Sequence, residues 1–375
     1  MKDWEIKKLS DICSIQTGKH DANHATETGK YRFYTCAAQY LWCDTVRFSG
    51  ECLILPGNGV NVGEVYYYNG DFDAYQRTYV ISEISKDVYA RFLYYNMLLN
   101  WKQNGTAKQY GSATNFIKIG NFLEYEIPLP PLEEQKRIVK ILDEKFARLE
   151  TVKANAKANL QNAKDLFQSQ LTKVFSNTTW EKKVLLKDIA KDFSRGKSKH
   201  RPRNDKCLFG GNYPFIQTGD IRNTEKYITE YVDTYNETGL AQSKLWPEGT
   251  LCITIAANIA ETAILTFPCC FPDSVIGFVP NEDITTADYV FYLLQFFKAE
   301  LQVLGKGAAQ DNINLGTFEK MEFPLPPLPE QKHIVEQLDS LSEKTKALQN
   351  IYKKILLDCD ELKKSFLAKA FAGEL

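Results

Sequence analysis

The sequence predicts an α+β protein that uses one plan twice: two globular mixed α/β domains in pseudo-two-fold arrangement, joined by two long antiparallel coiled-coil helices. Three observations carry this expectation. The phrase "EIPLPPLEEQKRIVKILDE" from Glu126 returns as "EFPLPPLPEQKHIVEQLDS" from Glu322, 196 residues later. The same offset places "GSATNFIKIGNFLEYEIPLPPL" (from Gly111) over "GAAQDNINLGTFEKMEFPLPPL" (from Gly307), and "DLFQSQLTKVFS" (from Asp165) over "ELKKSFLAKAFA" (from Glu361). Agreement that extends so far marks an internal repeat and not a shared short motif. Finally, each repeated phrase opens a long run of apolar residues at 3–4 spacing and follows a stretch of short β-branched and aromatic runs.

Composition permits this plan and excludes others. A chain of 375 residues is long enough for two or three cored domains. With 44% hydrophobic and 25% charged residues it is neither disordered nor fibrous. Lys plus Arg (46) and Asp plus Glu (47) cancel, so any nucleic-acid binding must come from local patches. No apolar run approaches the roughly 18–20 residues of a membrane span, and no signal peptide follows "MKDWEIKKLSDICS", which points to a cytoplasmic protein. The nine cysteines are scattered with no C-x-x-C pair, the pattern of reduced thiols and not of a disulfide framework or zinc site.

Taken in order, "WEIKKLSDICSIQTGK" at Trp4 resembles "WEKKVLLKDIAKDFSRGK" at Trp180, so the globular parts begin alike and differ by insertions. "ECLILPG", "EVYYYNG" and "RTYVISEI" read as strands of the first part, and "GTLCITIAA", "TAILTF" and "SVIGFVP" as strands of the second. Each part ends in a helical stretch, "VYARFLYYNMLLNWK" from Val88 and "ADYVFYLLQFFKAELQVL" from Ala287, whose aromatic stripes are core. The glycine-rich "LPGNGVNVG" from Leu55 lacks both dinucleotide and P-loop spacing and reads as a turn between strands.

The repeated phrase is a helix entrance. Its prolines pre-set an extended approach and are tolerated at the first helical position, while Glu133 and Glu134 suit the positive end of the helix dipole. The second copy continues as Leu338, Leu341, Thr345, Leu348, Tyr352, Ile355, Cys359, Leu362 and Phe366, a seam of more than three heptads. The first copy runs Val139, Leu142, Phe146, Leu149, Lys153, Ala156, Leu160, Ala163, Phe167, Gln170 and Val174, on the same period but interrupted. Each helix is about 40 residues, on the order of 60 Å. A stripe that long needs more than its own domain to cover it, and the other copy is the natural partner. The segments are therefore 1–127 and 177–323 for the globular domains, and 128–176 and 324–375 for the helices.

Two variable domains alternating with two similar long helices, each introduced by "PLPPLEEQKRIV" or "PLPPLPEQKHIV", resemble the specificity subunit of a Type I restriction-modification system. The phrase "GGNYPFIQTGDI" from Gly210 is similar to the opening motif of that family's target-recognition domains, and "GSATNFIKIGNF" and "GAAQDNINLGTF" resemble the segment before its helix. In the first domain "GKYRFYTCAAQ" from Gly29 stands in place of the Gly-Asp version. The resemblance implies a non-catalytic reader of double-stranded DNA, each domain taking half of a bipartite asymmetric site. It implies that the paired helices set the gap and dock two methyltransferase (M) subunits, and that restriction (R) subunits join through these. No cofactor is then expected on this chain: S-adenosylmethionine, ATP and magnesium belong to the partners. Without those partners, an exposed apolar helix face invites self-association.

Local chemistry supplies candidates for DNA contact. "RGKSKHRPRNDK" places Arg195, Lys197, Lys199, Arg201, Arg203 and Lys206 within twelve residues, countered along the chain by Asp205 alone, and suits phosphates. Forked donors for bases are offered by Lys108, Gln109, Ser112, Thr114 and Asn115 before the first long helix. Lys306, Gln310, Asn312 and Asn314 stand before the second, and Gln217, Thr218 and Arg222 lie in the opening phrase. His20, His24, His200 and His333 form no metal or triad pattern along the chain, and no catalytic or metal-ligating residues are expected. Two other classes remain open on the residues alone: a coiled-coil scaffold spacing two protein-binding domains, and an enzyme using one of the cysteines.

Overall fold

The structure, a computed structural model, describes residues 4–107, 110, 115–176, 180–256, 259–306, 313, 315–318 and 320–375, with the backbone alone at residues 305 and 306. It divides into two compact units, Met1–Ala158 with Tyr352–Leu375, and Asn159–Ile351. Both divisions fall inside the long helices.

The first unit begins with β1 (Glu5–Lys8), α1 (Leu9–Ile12), β2 (Ser14–Thr17), β3 (Tyr31–Tyr34), β4 (Leu41–Cys43), β5 (Glu51–Pro56), β6 (Tyr66–Asn69), β7 (Phe72–Ala74) and β8 (Thr78–Ser82). Helices α2 (Ala90–Asn100) and α3 (Ile119–Leu123) and strand β9 (Glu126–Leu129) lead into the long helix α4 (Leu132–Phe175). Strands β2-β8-β5-β6 form one sheet, β4-β3-β7 a second with β3 and β7 parallel, and β1 pairs with β9. After the exposed Glu51 the run "CLILP" is apolar throughout, because that part of β5 is covered on both faces. Leu53 and Leu55 join Phe92, Leu93 and Met97 of α2 in one core, while Cys52 and Ile54 join Phe48 and Phe72 in another.

In the second unit follow β10 (Lys183–Val184), β11 (Ala190–Arg195), β12 (Phe209–Phe215), α5 (Thr218–Asn223), β13 (Tyr227–Ile228), β14 (Asp233–Tyr235), α6 (Glu237–Ala241) and β15 (Leu245–Trp246). Then come β16 (Leu251–Thr254), β17 (Thr262–Leu265), β18 (Cys269–Cys270), β19 (Val275–Pro280), α7 (Ala287–Lys306), α8 (Leu315–Phe318), β20 (Phe323–Pro324) and the long helix α9 (Leu328–Ala372). The sheets repeat the first unit: β11-β19-β16-β17 with β13 added, β14-β12-β18-β15 with β12 and β18 parallel, and β10 with β20. Strand β16 alternates as β5 does, Leu251 and Ile253 toward α7 and Cys252 toward Trp246 and Phe271. The six strands and two helices read from the sequence are all present. The glycine-rich stretch after Leu55 is the β5–β6 connection, where Gly59 and Gly63 take positive φ of 85° and 103°.

Within each unit the two long helices run antiparallel. In the first, Arg137 Nη2 donates to the Leu375 carbonyl at 2.6 Å, Lys145 lies over the Phe366 ring at 4.4 Å, and Lys153 pairs with Asp360. In the second, Leu171 and Phe175 share a core with Ile334 and Leu338. The seam itself corrects the sequence reading. Val139, Leu142, Phe146, Leu149, Ala156 and Ala163 of the copy that looked interrupted are buried. In the copy that looked continuous, Leu348 and Leu362 are exposed and Leu367 and Ala370 are buried instead. The 3–4 period persists, but the face that is covered shifts along α9. Among the described residues no helix is long and apolar enough to cross a membrane.

Candidate nucleic-acid interface

The basic segment of the second unit leaves β11 through Gly196, whose N–H donates to the Val275 carbonyl at 2.8 Å. A Cβ there would lie 2.3 Å from the Pro272 carbonyl oxygen, so only glycine lets the chain pass. The loop's backbone is then pinned from α6 and its C-terminal side. Gln242 Oε1 accepts from the Lys199 and His200 amides at 2.7 and 3.1 Å, and Ser243 Oγ donates to the Lys197 carbonyl at 3.1 Å. Arg201 Nη1 donates inward to the Ser198 and His200 carbonyls at 2.6 and 2.8 Å.

Asp205 is not the only counter-charge, as it had looked along the chain. Asp273, distant in sequence, pairs with Arg203 at 2.7 Å and Arg201 at 3.7 Å, and its carbonyl accepts from Arg195 Nε at 2.8 Å. Three of the six cations thus converge on one residue. Lys197, Lys199 and Lys206 are exposed and make no ion pair among the described residues. What emerges is a loop of pinned backbone presenting three exposed ammonium groups, a suitable surface for phosphate oxygens.

The opening phrase of the second unit meets this loop on a shared seat. Phe215 of β12 pairs with Cys270 of β18, and the Ile216 amide donates to the Cys270 carbonyl at 3.0 Å. The next residues, Phe271 and Pro272, are those that crowd Gly196. Gln217 precedes α5, with its amide held by Asp220 Oδ2 at 2.7 Å and its side chain exposed near Asp233. Thr218 is half-buried and Arg222 exposed, in the first and last turns of α5. The structure therefore gathers Arg195, Arg201 and Arg203 on Asp273, while residues 270–272 hold both Gly196 at the start of the basic loop and Ile216 next to Gln217.

In the first unit Asn115 is exposed, and its carbonyl accepts from Gly59 at 2.9 Å. Lys108, Gln109, Ser112, Thr114, Gln310, Asn312 and Asn314 lie outside the described residues, as does the side chain of Lys306. Strand β3 holds the place of β12, so "GKYRFY" is the structural counterpart of "GGNYPF". It carries a patch that sequence reasoning passed over. Arg32 lies 4.3 Å from the centroids of both Tyr40 and Tyr68, beside an exposed Trp42. The cation set among aromatics in "YRFY", followed by the aromatics of "QYLW", was the available signal.

Both globular pieces are fastened to their long helices by the repeated words. Gln135 is buried, donates to the Pro130 and Asp87 carbonyls at 2.8 and 2.9 Å, and accepts from the Tyr89 amide at 2.8 Å. Gln331, also buried, donates to the Pro326 and Ile284 carbonyls at 2.9 and 3.0 Å and accepts from Thr285 Oγ1 at 2.9 Å. About two helical turns further on in each case, Asp143 takes Tyr95 and Arg91, and Asp339 takes Tyr292 and Lys226. Burial and then the neighbouring carboxylate push both tyrosine hydroxyls well above their ordinary range. Burial alone would lower Lys226, but Asp288 and Asp339 outweigh it and hold the ammonium charged. A cleft of about 910 Å³ opens beside it, walled by Phe167, Tyr227, Tyr292 and Thr345. Its buried cation, Lys226, is already matched by two aspartates.

A duplicated α+β reader whose loops vary while its sockets repeat defines a class: a two-domain recognition subunit. The family model described as the Type I restriction modification DNA specificity domain matches residues 1–161 and again 177–357. The chain belongs to this family, carries two copies of its domain, and is a specificity subunit whose task is DNA sequence recognition. It is 27% identical over 402 residues to the EcoDI specificity subunit of Escherichia coli, covering 100% of this chain and 89% of that one. Similarity to the MjaVIII specificity subunit of Methanocaldococcus jannaschii is 26% over 412 residues, covering 100% and 93%. Among solved structures it is similar in fold to a chain from a study of assembly and conformational transition of the type I R-M system, with a TM-score of 0.80, 20% identity and 100% and 99% coverage. The HsdS subunit from Thermoanaerobacter tengcongensis superposes with a TM-score of 0.62 at 20% identity, covering 100% and 98%.

Proposed function

We propose that the two globular domains each read one half of a bipartite, asymmetric site in double-stranded DNA, and that the long helices set the gap between the halves. The observation that carries this is the pairing of constant sockets with different loops. Gln135 and Gln331 hold equivalent positions, yet the loop after β2 carries histidines where the loop after β11 carries a basic run. Two copies of one head with unlike fingers are suited to two unlike half-sites. Lys197, Lys199 and Lys206 contact phosphate from a loop that Arg195, Arg201 and Arg203 brace, Gln217, Thr218 and Arg222 lie toward base edges, and Asn115 does so in the first head.

In this reading the chain is non-catalytic. The long helices dock two methyltransferase subunits, restriction subunits join through them, and S-adenosylmethionine, ATP and magnesium are held by those partners in the cytoplasm. The test is a selection from a random duplex library, at controlled salt, by the chain co-purified with its methyltransferase. Recovery of two short unrelated half-sites at one fixed spacing is expected. Absence of enrichment by an intact complex would hand the reading to a scaffold that spaces protein-binding domains.

A further inference from the structure

Histidines that form no pattern along the chain are brought together by the fold with a carboxylate from a distant strand. In the first unit His20 and His24 follow β2, and their rings stack with centroids 3.6 Å apart and planes 7° from parallel. Against them lies Asp73 of β7, 1% exposed. Its Oδ1 accepts from the Ala74 amide at 2.7 Å; its Oδ2 accepts from Thr45 Oγ1 at 2.6 Å and faces His20 Nε2 at 3.6 Å. Thr45 Oγ1 is also 2.7 Å from His24 Nε2. One ligand atom each from His20, His24 and Asp73 falls within 4.8 Å of the other two.

Charge makes this arrangement informative. A carboxylate so far from water must be paired or must coordinate a metal. Among the described residues no lysine or arginine pairs with Asp73, and its two close partners are a hydroxyl and one amide. What stands against it instead is the pair of imidazoles of His20 and His24, stacked face to face at 3.6 Å. A divalent ion would give the carboxylate its positive partner and take both imidazoles as further ligands.

The donor set is also of the right kind. Two imidazoles and one carboxylate suit zinc and its first-row neighbours, and histidines four apart fall within the spacings zinc sites use. The carboxylate is oriented from behind by Thr45 and Ala74, as ligating carboxylates are. The His20 side chain is 41% exposed, which leaves room for water on the open side. We propose that His20, His24 and Asp73 bind a first-row divalent cation, with water completing its shell, and that the ion clips the loop after β2 onto β7. Binding turns the two rings out of their stack so that one nitrogen of each faces Asp73 Oδ2; any proton on those nitrogens leaves to solvent.

A second group, His200, Asp205 and Cys207, lies in the corresponding loop of the other unit. Asp205 there is committed to capping the turn at Lys206–Leu208, so that group serves as the control.

The test uses the full chain stripped of metal and titrated with zinc by calorimetry, with cobalt(II) absorption as the report on ligand type. One equivalent is expected to bind the chain and also its H200A/C207S variant, with a rise in melting temperature. His24→Ala and His20→Ala should each lose more than the roughly 10–100-fold that removal of a mere supporting residue costs. Both histidines are partly exposed and hold no core position, so the metal-free melting temperatures of these variants should match that of the parent. The proposal is overturned if zinc binds no tighter than about 100 μM, far weaker than structural zinc sites, or if both histidine variants bind as the parent does while H200A/C207S does not.

Discussion

Tyr95 donates a 2.5 Å hydrogen bond to Asp143, and Asp339, 196 residues beyond that aspartate, accepts one of the same length from Tyr292. In each case the tyrosine belongs to the helix that covers a sheet, and the aspartate to the long helix. The repeated words therefore encode an attachment as well as a helix.

Removing the attachment should be costly in both units. Gln331→Ala strands two carbonyls and the Thr285 hydroxyl in the interior and should cost about 2–3 kcal/mol; Tyr292→Phe, which only loses a bond to a charged acceptor, about 1–2 kcal/mol. Urea midpoints followed by tryptophan fluorescence measure both. A neutral Gln331→Ala would remove the glutamine from the list of fastenings.

The basic loop should reveal itself through salt. Lys197→Ala and Lys199→Ala are each expected to lower the slope of log affinity against log salt by about one while leaving sequence preference unchanged. Arg201→Ala should do more damage, because its guanidinium also holds the loop's own carbonyls. Fluorescence anisotropy at four salt concentrations separates the cases.

Acid should loosen the seam between β1 and the segment before α2. Hydrogen bonds from Ser85 and then Lys7 hold the Asp87 carboxyl down at about 2, from an ordinary 3.8. A lowered folded-state value means that the stabilisation is complete above pH 3.8 and is lost as pH falls toward 2. Asp87→Asn should flatten the melting-temperature profile across that window and leave it unchanged at pH 7 apart from a constant offset.

Thiol chemistry should single out one residue. Burial pushes Cys13 up to about 12 and Cys52 and Cys270 up to about 11, whereas Cys207 is exposed. Ellman's reagent is expected to find one fast thiol in the native chain, absent from Cys207→Ser, with Cys36 slower and the remainder reacting on unfolding. The Asp205 carboxylate raises the Cys207 thiol, so its rate should climb with pH.

The frame of this fold was legible because its signals are local or repeated. Period and β-branched runs marked α4, α9, β5 and β16, and the offset of 196 marked the duplication. Sites were legible only where they are contiguous, as in the basic loop. Asp273 beneath Arg201 and Arg203, or Asp73 beside His20, joins residues more than fifty positions apart, and nothing in the order of the chain links them. Gln135 and Gln331 were visible as identical letters, but their role needed the carbonyls they bind. The seam on α9 misled because apolar residues at 3–4 spacing fix a helix face without fixing how far along its length it is covered.

The core of the first unit contains Cys359, Leu367 and Ala370, with Phe371 against Phe92 at 5.2 Å. It is therefore sealed by a stretch that a ribosome makes only after the whole second unit. During synthesis, Leu142, Phe146 and Leu149 wait through the making of the whole second unit with their covering helix still unmade. A chain cut short before Tyr352 would thus keep the whole second unit's globular part and lose the closure of the first, far from the cut along the sequence.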